Sequence, residues 1–86
     1  MSERKTKFFT INSPLSGTFY RRPSPEEDEY VTVGTEIEKG TIVCIVETMK
    51  VFNEVRAERS GIIREILVED EDPVKISQPL FKVEAK

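Results

Sequence analysis

One stretch, residues 41–58, decides the fold of this chain: TIVCIVETMKVFNEVRAE. Its first part, Thr41–Glu47, is an almost unbroken run of apolar, mostly β-branched residues, which is typical of a strand covered on both faces. Its second part, Val51–Glu58, largely alternates between apolar and charged residues, which is typical of a half-buried strand. Because only residues 48–50 separate the two parts, the stretch predicts a hairpin with a lysine at its tip.

The tip of this hairpin lacks the residues that tight turns prefer. Two-residue hairpin loops favour Asn-Gly or other pairs that tolerate positive φ angles. Residues 48–50 contain no Gly, Asn or Asp. Breaks in local sequence rules concentrate at functional or strained sites. The turn is therefore a weak pointer to Lys50, because a lysine in such a pattern is usually an ordinary solvated charge.

The rest of the chain also has the pattern of strands. Short apolar or alternating runs recur between Gly, Pro, Ser, Asn and Asp, and helical periodicity is scarce. The 86 residues have room for one domain with one modest core. Strands are predicted near Phe8–Asn12, Ser16–Arg21, Tyr30–Val33, Thr41–Glu47, Val51–Ala57, Gly61–Val68 and Leu80–Glu84.

An internal repeat divides the chain into two similar halves. Residues 16–19 (SGTF) match residues 60–63 (SGII), 44 positions later, and the pattern of residues 37–47 matches that of 74–84, 37 positions later. The first half therefore has about seven additional residues. They lie in the charged segment 21–29, which contains two prolines and cannot continue a strand ladder, so it is predicted to protrude as a loop.

Two halves that are each too small to bury their own apolar surface are expected to pack face to face. The predicted fold class is all-β: a flattened antiparallel β-barrel or sandwich of two quasi-symmetric four-stranded halves with a protruding thumb loop. Gly34 and Gly40 are expected to provide tight turns. The predicted core contains Ile11, Phe19, Val31, Ile42, Ile45, Val55, Ile63, Ile66, Val68, Val74, Leu80 and Val83.

Composition argues against several classes of function. Thirteen basic and sixteen acidic side chains give a net charge of −3 without a basic stripe, so no nucleic-acid partner is expected. No apolar run approaches the roughly 20 residues of a membrane span, so no membrane partner is expected either. The absence of histidine removes the commonest general base and any Cys/His metal site, so no catalytic residue and no metal site is predicted. The single cysteine, Cys44, is interpreted as a buried core residue of a protein in a reducing, cytoplasmic compartment.

The hairpin motif resembles that of a known family. Residues 46–50 (VETMK), with Gly40 before them and Ser60-Gly61 after them, resemble the attachment motif of the biotinyl/lipoyl carrier domains, and the resemblance covers Ile11 to Glu84. Met before the lysine is typical of biotinyl members, whereas lipoyl members typically have Asp there. Residues 13–25 resemble the opening and the thumb of the biotin carboxyl carriers of acetyl-CoA carboxylases.

This resemblance implies a function and a division of the chain. Residues 1–10 would be an N-terminal segment and residues 11–86 a biotinyl carrier domain, with its thumb at about 21–29. Biotin would be attached covalently to Lys50, and the flanking residues of the site would be Glu47, Thr48, Met49 and Val51. Biotin protein ligase, biotin carboxylase and carboxyltransferase would be the partners of this non-catalytic carrier, which would shuttle carboxybiotin between the last two.

Two alternatives stay open at this point. Glu47-Thr48 is a pair that lipoyl domains often have, which favours a lipoyl-type carrier. Thr48 and Val51 depart from the usual biotinyl sequence motif, in which Ala or Ser precedes the Met and a second Met follows the lysine. That departure is compatible with an unmodified structural barrel.

Overall fold

A computed structural model describes residues 6–86 of the chain, so part of the predicted N-terminal segment, residues 1–5, lies outside the described residues. The described residues contain no helix, and hence no helix that could span a membrane. They form eight strands: β1 (Phe8–Asn12), β2 (Gly17–Tyr20), β3 (Glu36–Ile37), β4 (Ile42–Thr48), β5 (Val51–Arg56), β6 (Gly61–Ile66), β7 (Pro73–Val74) and β8 (Pro79–Ala85).

The strands form two four-stranded antiparallel sheets, with the orders β1-β8-β6-β3 and β5-β4-β2-β7. The sheets do not close on each other, so the predicted all-β fold is confirmed in its open, sandwich form. Strands β1–β4 belong to the first half and β5–β8 to the second, so that β1 corresponds to β5, β2 to β6, β3 to β7 and β4 to β8. If each strand is exchanged for its counterpart, the first sheet order becomes the second. Each sheet takes two strands from each half, so the halves interleave across the core.

The turns of the two halves are closed by the same hydrogen-bond pattern. In each, a side-chain oxygen accepts a hydrogen bond from the backbone N–H three residues earlier. Such bonds close a turn locally and satisfy its backbone donors. The four oxygen-to-nitrogen pairs are Thr35 to Thr32 (3.0 Å), Thr41 to Glu38 (3.0 Å), Asp72 to Glu69 (3.0 Å) and Gln78 to Lys75 (2.9 Å).

Gly17 and Gly61 occupy equivalent positions at the starts of β2 and β6. A Cβ atom at Gly61 would lie 2.6 Å from the carbonyl oxygen of Glu84 and 2.5 Å from Val83 Cγ1. At Gly17 it would overlap the carbonyl oxygen of Glu47 and lie close to a side-chain atom of Thr48. Glycine is therefore required by close approach of neighbouring strands at both sites.

The core lies between the two sheets. Nine of the predicted core residues are buried: Ile11, Phe19, Val31, Ile45, Val55, Ile63, Val74, Leu80 and Val83. Three are only half-buried: Ile42 begins β4, Ile66 ends β6, and Val68 lies beyond the end of β6. The structure adds Ile37, Val43, Val46, Ala57 and Phe81 to the buried set, and the buried position of Cys44 is confirmed.

The predicted strand at Tyr30–Val33 is wrong. A turn already begins at Thr32, because Thr35 closes it with both its backbone N–H and its hydroxyl, and Gly34 has a φ of 99°. The strand of this region is instead β3, two residues long. Its counterpart β7 is equally short, and the sequence pattern does not predict either of them.

The segment 21–29 contains no strand and forms an irregular loop, which is called the thumb below. Its base is closed by a hydrogen bond from the Tyr30 backbone N–H to the Arg21 carbonyl oxygen (2.9 Å). The Arg21 backbone N–H in turn donates to Asp70 (2.8 Å), in the turn before β7. The thumb is thus anchored to both halves of the sandwich.

Candidate functional site

Lys50 is exposed at the tip of the β4–β5 hairpin. Thr48 and Val51 form the last strand pair, so Met49 and Lys50 alone make the turn. Their φ angles are 47° and 70°. A two-residue loop with both φ angles positive is the type I′ arrangement, which matches the twist of the flanking strands and normally requires Asn or Gly. The turn that the sequence marks as unusual is therefore strained in the structure.

The strands behind the turn hold it rigidly. β4 lies between β2 and β5 and is buried over Val43–Val46. Asn53, opposite Val46, directs its side-chain amide to the carbonyl oxygens of Val46 (3.2 Å) and Val51 (3.4 Å). The first of these bonds joins the two strands just below the tip, and the second lies within β5. The lysine stem therefore begins from a fixed base.

The other predicted site residues surround Lys50. Met49 is 94% exposed and Val51 is 56% exposed, so both flanks of the lysine are open to a protein partner. Thr48 and Glu47 are half-buried at the end of β4. All five residues lie together at the tip, as expected for residues 47–51 of one hairpin.

Glu47 takes part in a contact that links the hairpin to β2. Its carboxylate accepts a hydrogen bond from the Tyr20 hydroxyl (3.1 Å). This bond raises the pKa of Tyr20, and burial and the nearby negative charges of Glu47, Glu71 and Asp70 raise it further. The tyrosine therefore stays protonated and remains a donor to Glu47 across the ordinary pH range.

A cleft of about 240 Å³ separates the thumb from the outer face of the hairpin. Ile45, which is buried but outside the main core, lines it. The Tyr20 and Phe52 rings, which also line it, are 6.3 Å apart and inclined by 59°. The cleft is lined by Tyr20, Arg22, Pro23, Ser24, Pro25, Ile45, Glu47 and Phe52.

Sequence reasoning missed the roles of Tyr20 and Phe52. The alternation of β5 places Phe52 on the same face as Glu54, so its outward position was recoverable from the pattern. Bringing Tyr20 beside Glu47 requires the register of β2 on β4, in which Tyr20 pairs with Ile45. That register joins residues distant in sequence. Glu54, two residues after Phe52 on β5, forms an exposed ion pair with Arg56 (2.8 Å).

Two other features lie away from the tip. A larger cleft of about 440 Å³ opens between β1 and β5, where the Arg59 guanidinium lies 4.5 Å above the Phe9 ring. Burial raises the pKa of the Cys44 thiol to about 12, so the thiolate is not available as a nucleophile. Within residues 6–86, no three His, Cys, Asp or Glu side chains are grouped as metal ligands.

Comparison with known proteins shows to which family the chain is similar. The family model Biotin_lipoyl, described as "Biotin-requiring enzyme", matches residues 9–83. The chain is 52% identical over 73 residues to the chloroplastic biotin carboxyl carrier protein of acetyl-CoA carboxylase 2 of Arabidopsis thaliana, covering 85% of this chain and 29% of that protein. It is 51% identical over 73 residues to the biotin carboxyl carrier protein of acetyl-CoA carboxylase of Pseudomonas aeruginosa, covering 85% of this chain and 47% of the relative.

Among solved structures, a single-chain, multi-domain long-chain acyl-CoA carboxylase superposes on the whole of this chain with a TM-score of 0.78. The two are 19% identical, and the match covers 8% of the larger chain, so this likeness concerns the fold. The sequence relatives match at far higher identity, and this chain spans less than half of the length of the two described above. With the family match running from β1 into β8, the chain belongs to the biotin/lipoyl family of biotin-requiring enzymes.

Proposed function

We propose that this chain is the biotin-carrying domain of an acetyl-CoA carboxylase, with biotin joined covalently to Lys50. The observation that carries the proposal is the position of Lys50 at the apex of a rigid two-residue turn with exposed residues on both sides. The names of the sequence relatives support the choice of biotin and of acetyl-CoA carboxylase. Residues 11–86 would form the carrier domain, and residues 21–29 its thumb.

In the proposed role an external ligase attaches the biotin, because a free carboxylate must be activated before it forms an amide with the lysine amine. The ligase would supply biotin as an adenylate. The Lys50 amine would then attack the activated carbonyl carbon and form an amide bond, with AMP and a proton as the leaving species. Met49 and Val51 offer apolar contacts to the ligase on either side of the amine, and Thr48 and Glu47 form the less exposed edge of the same surface.

The cleft under the thumb fits the head of the cofactor. Along an extended strand, Glu47 lies about 10 Å from the tip, within reach of a lysine stem extended by the acyl chain of biotin. Pro23, Pro25 and Phe52 provide apolar walls for the sulfur-containing ring, whereas Glu47 can accept a hydrogen bond from a ureido N–H. When bound, the cofactor supplies a ureido nitrogen that can accept a carboxyl group.

The contribution of the chain itself is positioning. A flexible stem on a rigid hairpin keeps the attached group near two successive active sites at a high effective concentration. In the proposed role, these sites belong to biotin carboxylase and carboxyltransferase. The domain would carry the carboxyl group between them without catalysing either step.

The direct test is modification in vitro with a biotin protein ligase, ATP and biotin, followed by streptavidin capture. Wild type and Lys39→Arg, a control that alters another exposed turn lysine, are expected to be captured. Lys50→Arg is expected to lose all capture. Capture of Lys50→Arg would show that another lysine is the acceptor, and no capture of wild type would favour an unmodified structural domain.

The lipoyl alternative is tested by co-expression with both biotin and lipoate ligases. Intact mass is expected to show the increment of one biotin on the wild-type chain. The increment of lipoate instead would refute the biotin assignment. It would make the chain a lipoyl-type carrier.

For the thumb, we propose contact with the attached cofactor or with a partner enzyme. Deletion of residues 22–28, between the anchored Arg21 and Glu29, is expected to lower carboxylase activity while leaving ligase modification intact. Unchanged carboxylase activity would refute this role of the thumb.

A further inference from the structure

Two arginines at the base of the thumb share one carboxylate partner. Arg21 and Arg22 direct their guanidinium groups to the same carboxylate oxygen of Glu29, at 2.9 and 3.0 Å. A second carboxylate, Asp70, lies close by and accepts a hydrogen bond from the Arg21 backbone N–H. Arg22 therefore shares its carboxylate partner with Arg21.

Of these two arginines, only Arg22 lines the cleft beside the hairpin. Arg21 turns towards the protein, where its guanidinium also donates to the Val31 carbonyl oxygen (3.3 Å). The Nε atoms of Arg21 and Arg22 are both buried and without a hydrogen-bond partner. The Arg22 side chain as a whole is 34% exposed, so a carboxylate in the cleft can reach its guanidinium group.

We propose that Arg22 binds the carboxylate of the carboxylated cofactor, so that the cleft holds the loaded form in preference to the unloaded one. The inference rests on the proposed attachment of biotin to Lys50. In loading, the ureido nitrogen loses its proton and forms a bond to the carbon of bicarbonate; ATP is converted to ADP and phosphate as the oxygen leaves. This step takes place in biotin carboxylase, and it creates an anion where there was an N–H group.

Guanidinium groups bind carboxylates through charge-assisted hydrogen bonds with a matching planar geometry. Arg22 thus gains a second carboxylate partner, besides Glu29, only when the cofactor is loaded. Glu47, the other charged residue that lines the cleft, has the opposite effect. Its carboxylate favours the unloaded N–H form and repels the new anion.

The test measures the equilibrium constant for carboxylation of the biotinylated chain. Each variant is first captured on streptavidin to establish that it carries biotin. It is then equilibrated with biotin carboxylase, labelled bicarbonate, ATP, ADP and phosphate, and the bound label is counted. An equilibrium constant does not depend on how well the chain docks to the carboxylase, so it reports only the relative free energies of the loaded and unloaded forms.

Arg22→Gln is expected to lower this constant about fivefold, the effect of ~1 kcal/mol lost from a partly exposed pair. Arg22→Lys keeps the charge but loses the planar geometry of the guanidinium group, so it is expected to give an intermediate value. Glu47→Gln is expected to give a higher value than wild type. Arg64→Gln, which removes an exposed arginine paired with Glu84 on the other sheet, is the matched control and is expected to leave it unchanged.

An unchanged constant for Arg22→Gln, or an equal decrease for Arg64→Gln, would overturn the inference. If Arg22→Gln is not biotinylated, the constants of Arg22→Lys and Glu47→Gln decide instead: a constant equal to that of wild type in both would refute it. Failure of the wild-type chain to be captured is a different result. It would overturn the proposed function itself before the equilibrium is measured.

Discussion

Replacing Met49-Lys50 with Asn-Gly is expected to stabilise the protein while removing the proposed biotin acceptor. Both residues now have positive φ angles, 47° and 70°. A residue with a side chain in this left-handed region costs roughly 1–2 kcal/mol, and Asn-Gly is the pair that type I′ turns favour. Glycine also raises the entropy of the unfolded chain, which offsets about 0.5–1 kcal/mol of the gain. The net increase in the free energy of unfolding is therefore ~1 kcal/mol.

This increase can be measured by urea unfolding followed by far-ultraviolet circular dichroism, since the chain contains no tryptophan. In a domain of this size, a change of ~1 kcal/mol corresponds to a rise in Tm of about 4–8 °C. Lys39→Gly is the matched control, because Lys39 is an exposed lysine without a positive φ. It is expected to destabilise the protein, so the two changes have opposite signs. An equal or lower stability of the Asn-Gly variant would refute the interpretation of the turn as strained.

Three further predictions concern packing and titration. Gly17→Ala is expected to lower the free energy of unfolding by about 2–3 kcal/mol, because the added Cβ overlaps the Glu47 carbonyl oxygen; urea unfolding measures this. Cys44 is expected to resist thiol reagents at pH 8 in the native state and to react in urea. Stability should also fall as the pH rises from about 9 towards 12, because only the unfolded thiol then loses its proton. In a Tyr30→Phe background, Glu47→Gln is expected to lower the pKa of Tyr20, as read by ultraviolet absorbance; an unchanged pKa would contradict the assigned hydrogen bond.

Much of the fold can be predicted from the sequence, because its strongest signals are local. The apolar run ending at Glu47 and the alternation that begins at Val51 define the central hairpin. The residues between them include no Gly, Asn or Asp, which marks the turn as the strained site. The prolines at 23 and 25 likewise predict a loop, since proline cannot donate to a strand ladder.

The features that escaped prediction depend on contacts between distant residues or on very short elements. β3 and β7 have two residues each, which is too short for any periodicity. The repeat predicts two halves but not that each sheet is built from both. The cleft requires the register of β2 on β4 and the anchoring of the thumb at Asp70, and neither leaves a local pattern in the sequence.

The central claim is that Lys50, at the apex of a strained hairpin, is the residue that carries biotin. Peptide mass spectrometry across residues 41–56, after expression with a biotin ligase and biotin, tests it most directly. The account predicts one biotin increment, with fragment ions that place it on Lys50. An unmodified Lys50, or biotin on a different lysine of the same protein, would contradict the account.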